Sequence, residues 1–585
     1  MKKIVPVFIW LLFAIACQAR IITVDDNGPA EFSNIQAAID VSNDGDIIEV
    51  QPGIYTGDGN YDIKHNGKAI TVRSTDPNDL NIVTSTVIDG SSIEGHDHHG
   101  FIFDSGEKSG SKVLGLSITG FGLYGIYIYD ARPFIGKCKM YGNTHGIAAF
   151  YDTSEDIETL ISDCTLSYNE YCGISLNQTN IKIENCIIEN NMWGIHRSNR
   201  DVGDIILENC RIAYNRDRGL NLDSASRSAI LKNCSIIGNR ADYNSGGGIY
   251  SSCNLTIENS FIAGNYSPRH GSAIVSGYHL KLKNCTIVGN YTDTDYVISC
   301  DYFYGSGADI ENSIIYGNYP DSKISFRGEN DNFISYCNIE GDINSIQLDD
   351  GAILHWQDNI NCDPYFAMPG FWDANGTPED ANDDLWVMGD YHLKSQAGRW
   401  DANSKSLVKD DRTSPCIDAG DPMSPIGHEP FPNGGIINMG YYGGTAEASK
   451  SYLGEPICET ILAGDINGDC RIDFKDFWFM ALHWLENNIP IPGQASNPNP
   501  TNDSMGIDIN TDLSWTAGSN AASHDVYFGT SNPPPFIGNQ TSTTFDPGTM
   551  IDNTRHYWRI DEVNSRATTT GTTWFFGTGL PPPQP

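Results

Sequence analysis

The sequence predicts a mainly β protein: a long parallel β-helix, then a short calcium-loop and helix module, then a β-sandwich. The first observation is a segment that recurs at intervals of 22–28 residues from position 138 to position 318. The second is that each repeat contains short runs in which apolar and polar residues alternate, which is the period of a β-strand. The third is a series of alternating segments after position 500, separated by turn residues. Helical periodicity is absent from the repeats, so we expect them to be all β.

Composition and charge limit the function classes. The chain has 585 residues, of which 39% are hydrophobic, below the ~45–50% of an average globular protein. Its formal net charge is −38, from 36 Lys and Arg against 74 Asp and Glu. General nucleic-acid binding needs clustered cations that release counterions, so this class is excluded. An anionic membrane surface is disfavoured for the same reason, and an acidic ligand would require a locally basic strip.

The first residues are typical of an export signal. Lys2 and Lys3 precede an apolar run from Ile4 to Ile15, which is too short to span a bilayer comfortably. A small-residue cleavage site then precedes Cys17, which leaves two alternatives: simple secretion after a signal peptide of residues 1–19, or lipid attachment to Cys17. We therefore expect a secreted or cell-surface protein that contacts a membrane only if Cys17 is lipidated.

Eight repeats share one position that is Cys or Ser and a second position, five residues later, that is always Asn. A unit of this length with three short strands is one coil of a β-helix, and coils must stack because a single coil cannot bury its own apolar face. By strand parity, the Cys or Ser and the apolar residue two places later both point inward. The eight repeats begin at Cys138, Cys164, Cys186, Cys210, Cys234, Ser260, Cys285 and Ser313.

The recurring Cys residues have three interpretations. Because Ser260 and Ser313 occupy the same position, we expect a ladder of small buried side chains. Neighbouring coils lie about 4.8 Å apart, which also permits some disulfide pairs, and a soft-metal site is the third alternative. The recurring Asn residues, from Asn143 to Asn318, predict a second ladder, since Asn tolerates left-handed turns and its amide can bond the next coil.

The approach to the repeats resembles a known cap. Residues 32–41 have the apolar spacing of a helix, and residues 44–55 read as alternating turns and strands. Together with the coils, this resembles the pectin-lyase-like superfamily, which includes pectate lyases, pectinesterases and many right-handed β-helix repeat proteins. The resemblance covers about residues 20–345 and implies a right-handed parallel β-helix whose cap covers the open edge of the first coil. It implies no single reaction, because the fold hosts lyases, hydrolases, esterases, epimerases and inert adhesins.

Candidate ligand-binding residues come from the variable turn that follows each Asn of the ladder. In stacked coils these turns line one stripe, which is rich in Arg and aromatic residues. Aromatic rings stack on sugars, and Arg binds carboxylates and sulfates with a planar fork of donors, so an acidic extracellular polysaccharide is the expected ligand. The other interpretation is that these turns are polar simply because they are exposed. The candidate substrate-binding residues are His145, Tyr171, Trp193, Asp217, Asp242, Tyr243, Arg269 and His270, and the candidate catalytic residues are Arg216, Arg218 and Arg240.

The sequence leaves open whether the protein is an enzyme. In a polysaccharide lyase, an Arg or His of the stripe could abstract the proton next to a uronate carboxylate, while a second cation or calcium stabilises the enolate. A glycoside hydrolase is the other enzymatic alternative, but the sequence lacks the carboxylate motif that resemblance to polygalacturonases would require. The segment from His96 to His99 has no partner spacing for a metal, so we expect a surface loop. The competing class is a non-catalytic surface or adhesion protein that uses the β-helix as a rigid scaffold.

Residues 346–455 are acidic and rich in Trp and Gly. The segments 390–393, 414–421 and 438–444 resemble a terminal segment that follows β-helix repeats in bacterial surface proteins. The resemblance implies that this region caps the β-helix and packs against its last coils.

Residues 456–489 contain a calcium-loop motif, with oxygen ligands at loop positions 1, 3, 5, 9 and 12 and an amphipathic helix from Phe477 to Leu485. The loop resembles one half of a dockerin, which implies a cohesin-like or cell-surface partner. Two departures weaken that implication: Cys470 replaces the expected Gly, with Cys458 as a conceivable disulfide partner, and a second calcium repeat is missing. The expected calcium ligands are Asp465, Asn467, Asp469, Arg471 through its carbonyl, Asp473 and Asp476.

The last part of the chain predicts a separate domain. A Pro- and Asn-rich linker is expected at 490–499. Four alternating segments with core Trp residues then resemble a fibronectin type III-like sandwich at 500–579, a class of spacer or binding module to which we assign no catalysis. A Pro-rich tail occupies residues 580–585.

Overall fold

A computed structural model describes residues 19–93, 95, 97–151, 159–198, 203–223, 228–294, 296–300, 307–320, 322–377, 384–454, 464–466, 472–482 and 491–579. The chain forms two compact units, residues 1–476 and 477–585. The predicted signal peptide with Cys17 lies outside the described residues, as do Cys458 and Cys470. Among the described residues, no helix is long and apolar enough to cross a membrane.

Residues 21–357 form a β-solenoid of about 12 turns, in which successive coils add strands to three parallel sheets. This confirms the mainly β fold and the predicted parallel coils. The solenoid continues past the expected boundary at residue 345, because Ile346–Asp349 and Ile353–Gln357 pair with strands of the preceding coil.

The three sheets take one strand each from most coils. Sheet A consists of Ile21–Val24, Ile47–Val50, Thr71–Ser74, Lys112–Leu114, Phe134–Gly136, Thr159–Ser162, Ile181–Glu184, Ile205–Glu208, Ser228–Lys232, Asn254–Glu258, Leu280–Lys283, Ala308–Glu311, Asp331–Ser335 and Ile353–Gln357. Sheet B consists of Gly53–Tyr55, Thr86–Asp89, Ser117–Thr119, Lys139–Tyr141, Thr165–Ser167, Ile187–Glu189, Arg211–Ala213, Ser235–Ile237, Phe261–Ala263, Thr286–Val288, Ile314–Tyr316 and Asn338–Ile339. Sheet C consists of Ile63–Lys64, Phe101–Phe103, Tyr124–Tyr129, His145–Phe150, Cys172–Asn177, Trp193–Arg197, Arg218–Leu222, Ile249–Ser251, Ile274–Ser276, Ile298–Cys300, Ile324–Arg327 and Ile346–Asp349. A short extra pair, Tyr266–Ser267 with Tyr291–Thr292, lies in the turns between sheets B and C, and a 3-10 helix spans Asp342–Ser345.

The repeat Cys residues form the predicted ladder of small buried side chains. They are buried free thiols. Each contacts the carbonyl two residues before it, as Cys234 does with Lys232 at 3.3 Å. Ser260 donates to the equivalent carbonyl of Glu258 at 2.8 Å, which explains why Ser and Cys exchange at this position.

The Asn ladder is also confirmed, but its backbone differs from our expectation. The Asn169 side-chain amide donates to the side-chain oxygen of Asn191 at 3.0 Å and to the carbonyl of Met140 at 3.2 Å, and this pattern continues along the coils. The left-handed residue lies one place before the Asn, as at Tyr168 and Gly238, where φ is 56° and 62°. The preceding residue makes the turn, which leaves the Asn side chain pointing into the coil.

The N-terminal cap is a helix, Ile35–Val41. Asn34 is its N-cap residue, and the Asn34 side chain accepts the backbone N–H of Ala37. Its buried residues, Ile35, Ala38 and Ile39, belong to the same hydrophobic core as the coils. The helix therefore covers the apolar end of the first coil, as predicted. A second short helix, Leu80–Ser85, precedes a strand of sheet B.

The region after the solenoid lies along sheet B and is not confined to the last coil. Its buried residues, including Phe366, Trp386 and Met439, share a core with outward residues of sheet B as early in the chain as Ala213. The reason is that sheet B has an apolar outer face here, which includes Val288. The region contains three antiparallel strand pairs: Phe366–Met368 with Asp390–Leu393, Phe371–Asp373 with Leu385–Val387, and Arg399–Asp401 with Ser406–Val408.

The calcium-loop module contains a helix, Phe474–Leu482, which begins three residues before the predicted start. Residues 491–579 form two sheets around a core that includes Trp515, Trp558 and Trp574. The first sheet contains Ser496–Asn499, Leu513–Thr516 and Thr544–Phe545, and the second contains Ser504–Ile507, Trp574–Thr578, Arg555–Val563, Ser523–Gly529, Phe536–Gln540 and Thr568–Thr569. One strand therefore lies in the expected linker. The fibronectin type III likeness stays a prediction.

Candidate functional site

Five of the predicted site residues lie at, or one place before, the first residues of strands in sheet C. Pairing aligns His145 with Cys172, Cys172 with Trp193, and Trp193 with Arg218, so these positions form one row across adjacent strands. Tyr171 precedes this row by one residue, and its ring stacks on His145 with centroids 5.6 Å apart. Asp217 lies beside Trp193, as described below.

The outer face of sheet C carries a cluster of aromatic rings that continues this row. We call it the aromatic platform and define it by His99, Tyr124, Tyr127, Tyr129, His145, Phe150, Tyr171, Trp193 and His196. The rings of His99, Tyr124 and Tyr127 stack on one another with centroids 5.2–5.5 Å apart. Phe150 lies 5.8 Å from Tyr127, and all of these side chains are partly accessible. The platform therefore offers ring faces and edges to a ligand across several coils.

Small side chains interrupt the middle row of the platform. Pairing places Tyr127, Ala148, Ser175 and His196 in register on four successive coils. At about 4.8 Å per coil, the backbones of Tyr127 and His196 are roughly 14 Å apart. The two rings therefore lie on either side of a strip formed by Ala148, which is fully buried, and Ser175, which is partly accessible.

One end of the platform is polar and held by hydrogen bonds. The indole N–H of Trp193 donates to Asp217 at 2.7 Å, and the indole stacks on His196 at 4.7 Å. Arg218 donates to Asn221 at 2.6 Å and to the carbonyl of Ser245 at 2.9 Å. Its guanidinium lies 4.3 Å from the ring of Tyr250. These contacts fix the orientation of an indole and of a cation beside the strip.

The remaining candidates of the stripe lie in the turns between sheets B and C. Arg240 forms an ion pair with Asp242 at 3.1 Å and stacks on Tyr266 at 4.3 Å. Tyr243 and Arg269 are exposed, and His270 lies 5.5 Å from Tyr296. Arg216 is exposed and lies one coil before Arg240. The backbone N–H of Arg216 donates to the carbonyl of Asn191, and the backbone N–H of Arg240 donates to the carbonyl of Asn215 in the same way. The structure thus places Arg218 on the platform, and Arg216 and Arg240 beside it in the turns.

The histidines of the platform are neutral at pH 7. Burial lowers the pKa of His145 to about 4, and the pKa values of His99 and His196 are lowered for the same reason. Neutral imidazoles stack and form hydrogen bonds without adding charge. The fixed charges that act on His196, beside the strip, are those of Asp223, Arg218 and Asp217.

The sequence did not predict His99, Tyr124, Tyr127, Tyr129 and Phe150 as site residues. For Tyr127 and Tyr129 the signal is their alternation with buried Ile residues in the run 124–129, which predicts that both rings face outward. His99 belongs to the loop 96–99, where His98 pairs with Asp62 at 2.8 Å.

Of the predicted calcium ligands, Asn467, Asp469 and Arg471 lie outside the described residues. Asp465 and Asp476 are buried, and Asp473 is exposed. The two carboxylate oxygens of Asp476 accept the backbone N–H groups of Ile466 and Asp473, each at 2.7 Å. Asp476 therefore holds the two ends of the loop together. Among the described residues, no cluster of three or more metal-ligating side chains is present.

Comparisons with known proteins support the fold. Residues 31–196 and 149–302 match the family described as right-handed β-helix region, and residues 374–420 match the family described as disaggregatase related. A crystal structure of pectate lyase Pel9A is similar at 16% sequence identity and a TM-score of 0.36, over 72% of this chain and 96% of that chain. No curated protein matches the sequence. The family match over residues 31–302 agrees with the parallel coils of the solenoid.

Proposed function

We propose that this protein is secreted or displayed at the cell surface and that it binds an extracellular acidic polysaccharide along the aromatic platform. The observation that supports this most is the ordered run of stacked rings on sheet C, with Trp193 fixed by Asp217 and stacked on His196. Exposed apolar clusters on a solvent face commonly mark binding surfaces. Sugar rings have apolar faces and polar edges, which match ring platforms with hydrogen-bonding groups beside them.

An acidic ligand would have to bind where cations offset the acidic surface. The chain carries a net charge of −38, so a polyanion is repelled by most of the molecule. Arg218 on the platform and Arg216 in the adjoining turn supply cations where the rings are. Because Arg218 is held by Asn221 and Ser245, it meets a carboxylate with little further loss of conformational freedom.

A matched pair of aromatic substitutions tests this proposal. Trp193→Ala removes a platform ring, and we expect it to weaken polysaccharide binding about tenfold or more, since a stacked ring typically contributes ~1–3 kcal/mol. Phe333→Ala is the control, because Phe333 is exposed and stacks on His355 in the same manner, with centroids 4.4 Å apart, but lies on sheet A. Affinity electrophoresis against pectic, alginate-like, sulfated and neutral polysaccharides measures both. Equal losses in the two variants, or none in Trp193→Ala, would contradict the proposal.

Cleavage of the bound polymer is a second part of the proposal: a neutral histidine of the platform, His145 or His196, takes the proton next to the uronate carboxyl and passes it to the leaving oxygen, while Arg218 stabilises the negative charge that develops on that carboxyl. Removal of the proton next to the uronate carboxyl breaks the bond to the glycosidic oxygen and leaves a double bond that absorbs ultraviolet light, while the leaving oxygen takes a proton. We expect absorbance and reducing ends to rise together and Arg218→Ala to abolish both, whereas Arg240→Ala, which removes the Asp242 pair, keeps most activity. Reducing ends without absorbance would indicate a glycoside hydrolase. Binding without either signal would indicate a non-catalytic scaffold or adhesion protein.

A further inference from the structure

A cavity lies between sheet B and the region that follows the solenoid. Its volume is about 480 Å³, within the ~300–1,000 Å³ that is usual for small-molecule sites. On the solenoid side it is lined by Gly289 and Tyr316, and on the other side by Tyr365, Trp386 and Lys394, among others. It opens on sheet B, whereas the aromatic platform is on sheet C.

Two cations line this cavity in an otherwise acidic protein. Lys394 is half-buried, and in the part of the chain that the structure describes its ammonium has no hydrogen-bond acceptor or ion-pair partner. The guanidinium of Arg412 is exposed and lies 4.9 Å from the Tyr365 ring, and among the described residues it forms an ion pair with the exposed Asp411 at 3.4 Å, a weak interaction. Asp363 also lines the cavity and accepts the backbone N–H of Tyr365. Asp363 and Asp411 balance the two cations in number, but only Lys394 among these four groups has no partner in the described part of the chain.

The walls are aromatic and include an unused donor. The indole nitrogen of Trp386 is buried and has no hydrogen-bond acceptor among the described residues, although Trp386 lines the cavity. Trp386 is held against the solenoid: a Cβ atom on Gly289 or Gly264 would lie 2.0 Å from its ring. The hydroxyl of Tyr391 accepts the N–H of Gly370 at 2.9 Å, which fixes another wall. An unpaired buried donor is costly unless a ligand or water accepts from it.

From these contacts we propose that the cavity binds a single anionic sugar residue, a pyranose that carries a carboxylate or a sulfate. Lys394 and Arg412 bind the anionic group, and the rings of Tyr365 and Trp386 contact the sugar. This site lies on sheet B and is distinct from the platform on sheet C. The inference does not depend on the proposed function of sheet C.

The test is a titration of the full chain with galacturonic acid, galactose 6-sulfate and neutral galactose, followed by ligand-observed NMR and tryptophan fluorescence. The first two sugars separate a carboxylate ligand from a sulfate ligand. We expect at least one of them to bind at least tenfold more tightly than galactose. Lys394→Met and Arg412→Gln are each expected to weaken that binding about tenfold, the size typical of one charge-assisted contact. Lys409→Met removes the same charge from an exposed lysine that does not line the cavity, and should leave binding unchanged.

Two further variants separate this inference from its alternatives. Lys394→Arg keeps the cation and should retain most of the affinity, which shows that Lys394→Met acts through charge. Trp193→Ala should leave monosaccharide binding intact, because it alters sheet C only. The inference is overturned if neither anionic sugar binds, if galactose binds as tightly, or if Lys394→Met and Lys409→Met behave alike. If the platform proposal is wrong, Trp193→Ala will not weaken the binding of long polysaccharides. That result would leave the monosaccharide titration unaffected.

Discussion

Hydrogen bonds of single buried side chains determine which residues each coil accepts. Asn215 donates to the side chain of Asn239 at 2.8 Å and to the carbonyl of Ile188 at 3.2 Å, and its oxygen accepts from the backbone of Asn191 at 3.1 Å. Only a short amide can satisfy all three. The Cys position is less demanding, because Cys210 makes a long contact with the Glu208 carbonyl that a hydroxyl can replace.

We therefore predict opposite outcomes for two substitutions in one coil. Asn215→Ala leaves buried donors and acceptors unpaired and should lower the free energy of unfolding by about 1–3 kcal/mol or more. Cys210→Ser should change it by less than about 1 kcal/mol, since Ser260 already occupies the same position two coils later. Chemical denaturation of the two variants measures the difference. Similar losses in both would show that the Asn ladder has no special role.

At the scale of elements, the stability of the region after the solenoid depends on the protonation of a buried carboxyl group. One oxygen of Glu429 accepts the backbone N–H groups of Asn438 and Gly444, each at 2.8 Å. These bonds favour the ionised carboxylate, but burial outweighs them and raises the pKa of Glu429 to about 8. Burial also raises the pKa of Asp418 to about 6.

Stability should consequently fall as the pH rises. The folded state keeps a proton on Glu429 up to about pH 8, whereas the unfolded chain releases it near the ordinary value of 4.5. Between these values the folded state binds more protons, so the free energy of unfolding decreases with pH. Glu429→Gln mimics the protonated group and should flatten this decrease in thermal melts between pH 5 and pH 8. A melt of Glu429→Gln with the same pH slope as wild type would contradict this account.

The coils and their inward residues could be predicted from the sequence, but the surfaces they offer could not. Apolar and polar residues alternate within each repeat of 22–28 residues, so the inward positions of Met140 and Leu166 follow from the local pattern. Docking of Trp386 on sheet B is a contact between distant segments with no periodic signal. The turns after the Asn ladder predict His145, Tyr171 and Trp193 of the platform, but Tyr124 and Tyr127 lie in a strand that those turns do not mark.

For the whole molecule, calcium is expected to act through the loop at 465–476. Asp476 holds both ends of this loop, and its carboxylate already accepts two backbone N–H groups. We predict that calcium raises the melting temperature of the full chain, that a chelator reverses the rise, and that Asp476→Asn removes it. Asp546→Asn, an exposed carboxylate of the C-terminal sheets, is the control. A calcium response that survives Asp476→Asn would place the ion elsewhere.

Hydrogen exchange of the full chain, with and without an acidic oligosaccharide, is the measurement that shows whether sheet C binds an acidic polysaccharide. We expect slower exchange in the strands that carry the platform, His145–Phe150, Cys172–Asn177 and Trp193–Arg197, and in the turn at Arg216. Peptides of sheet A around Phe333 should be unaffected. Protection confined to sheet A or to residues 491–579 would contradict binding on sheet C. So would a lack of protection by every acidic glycan that binds the protein in affinity electrophoresis.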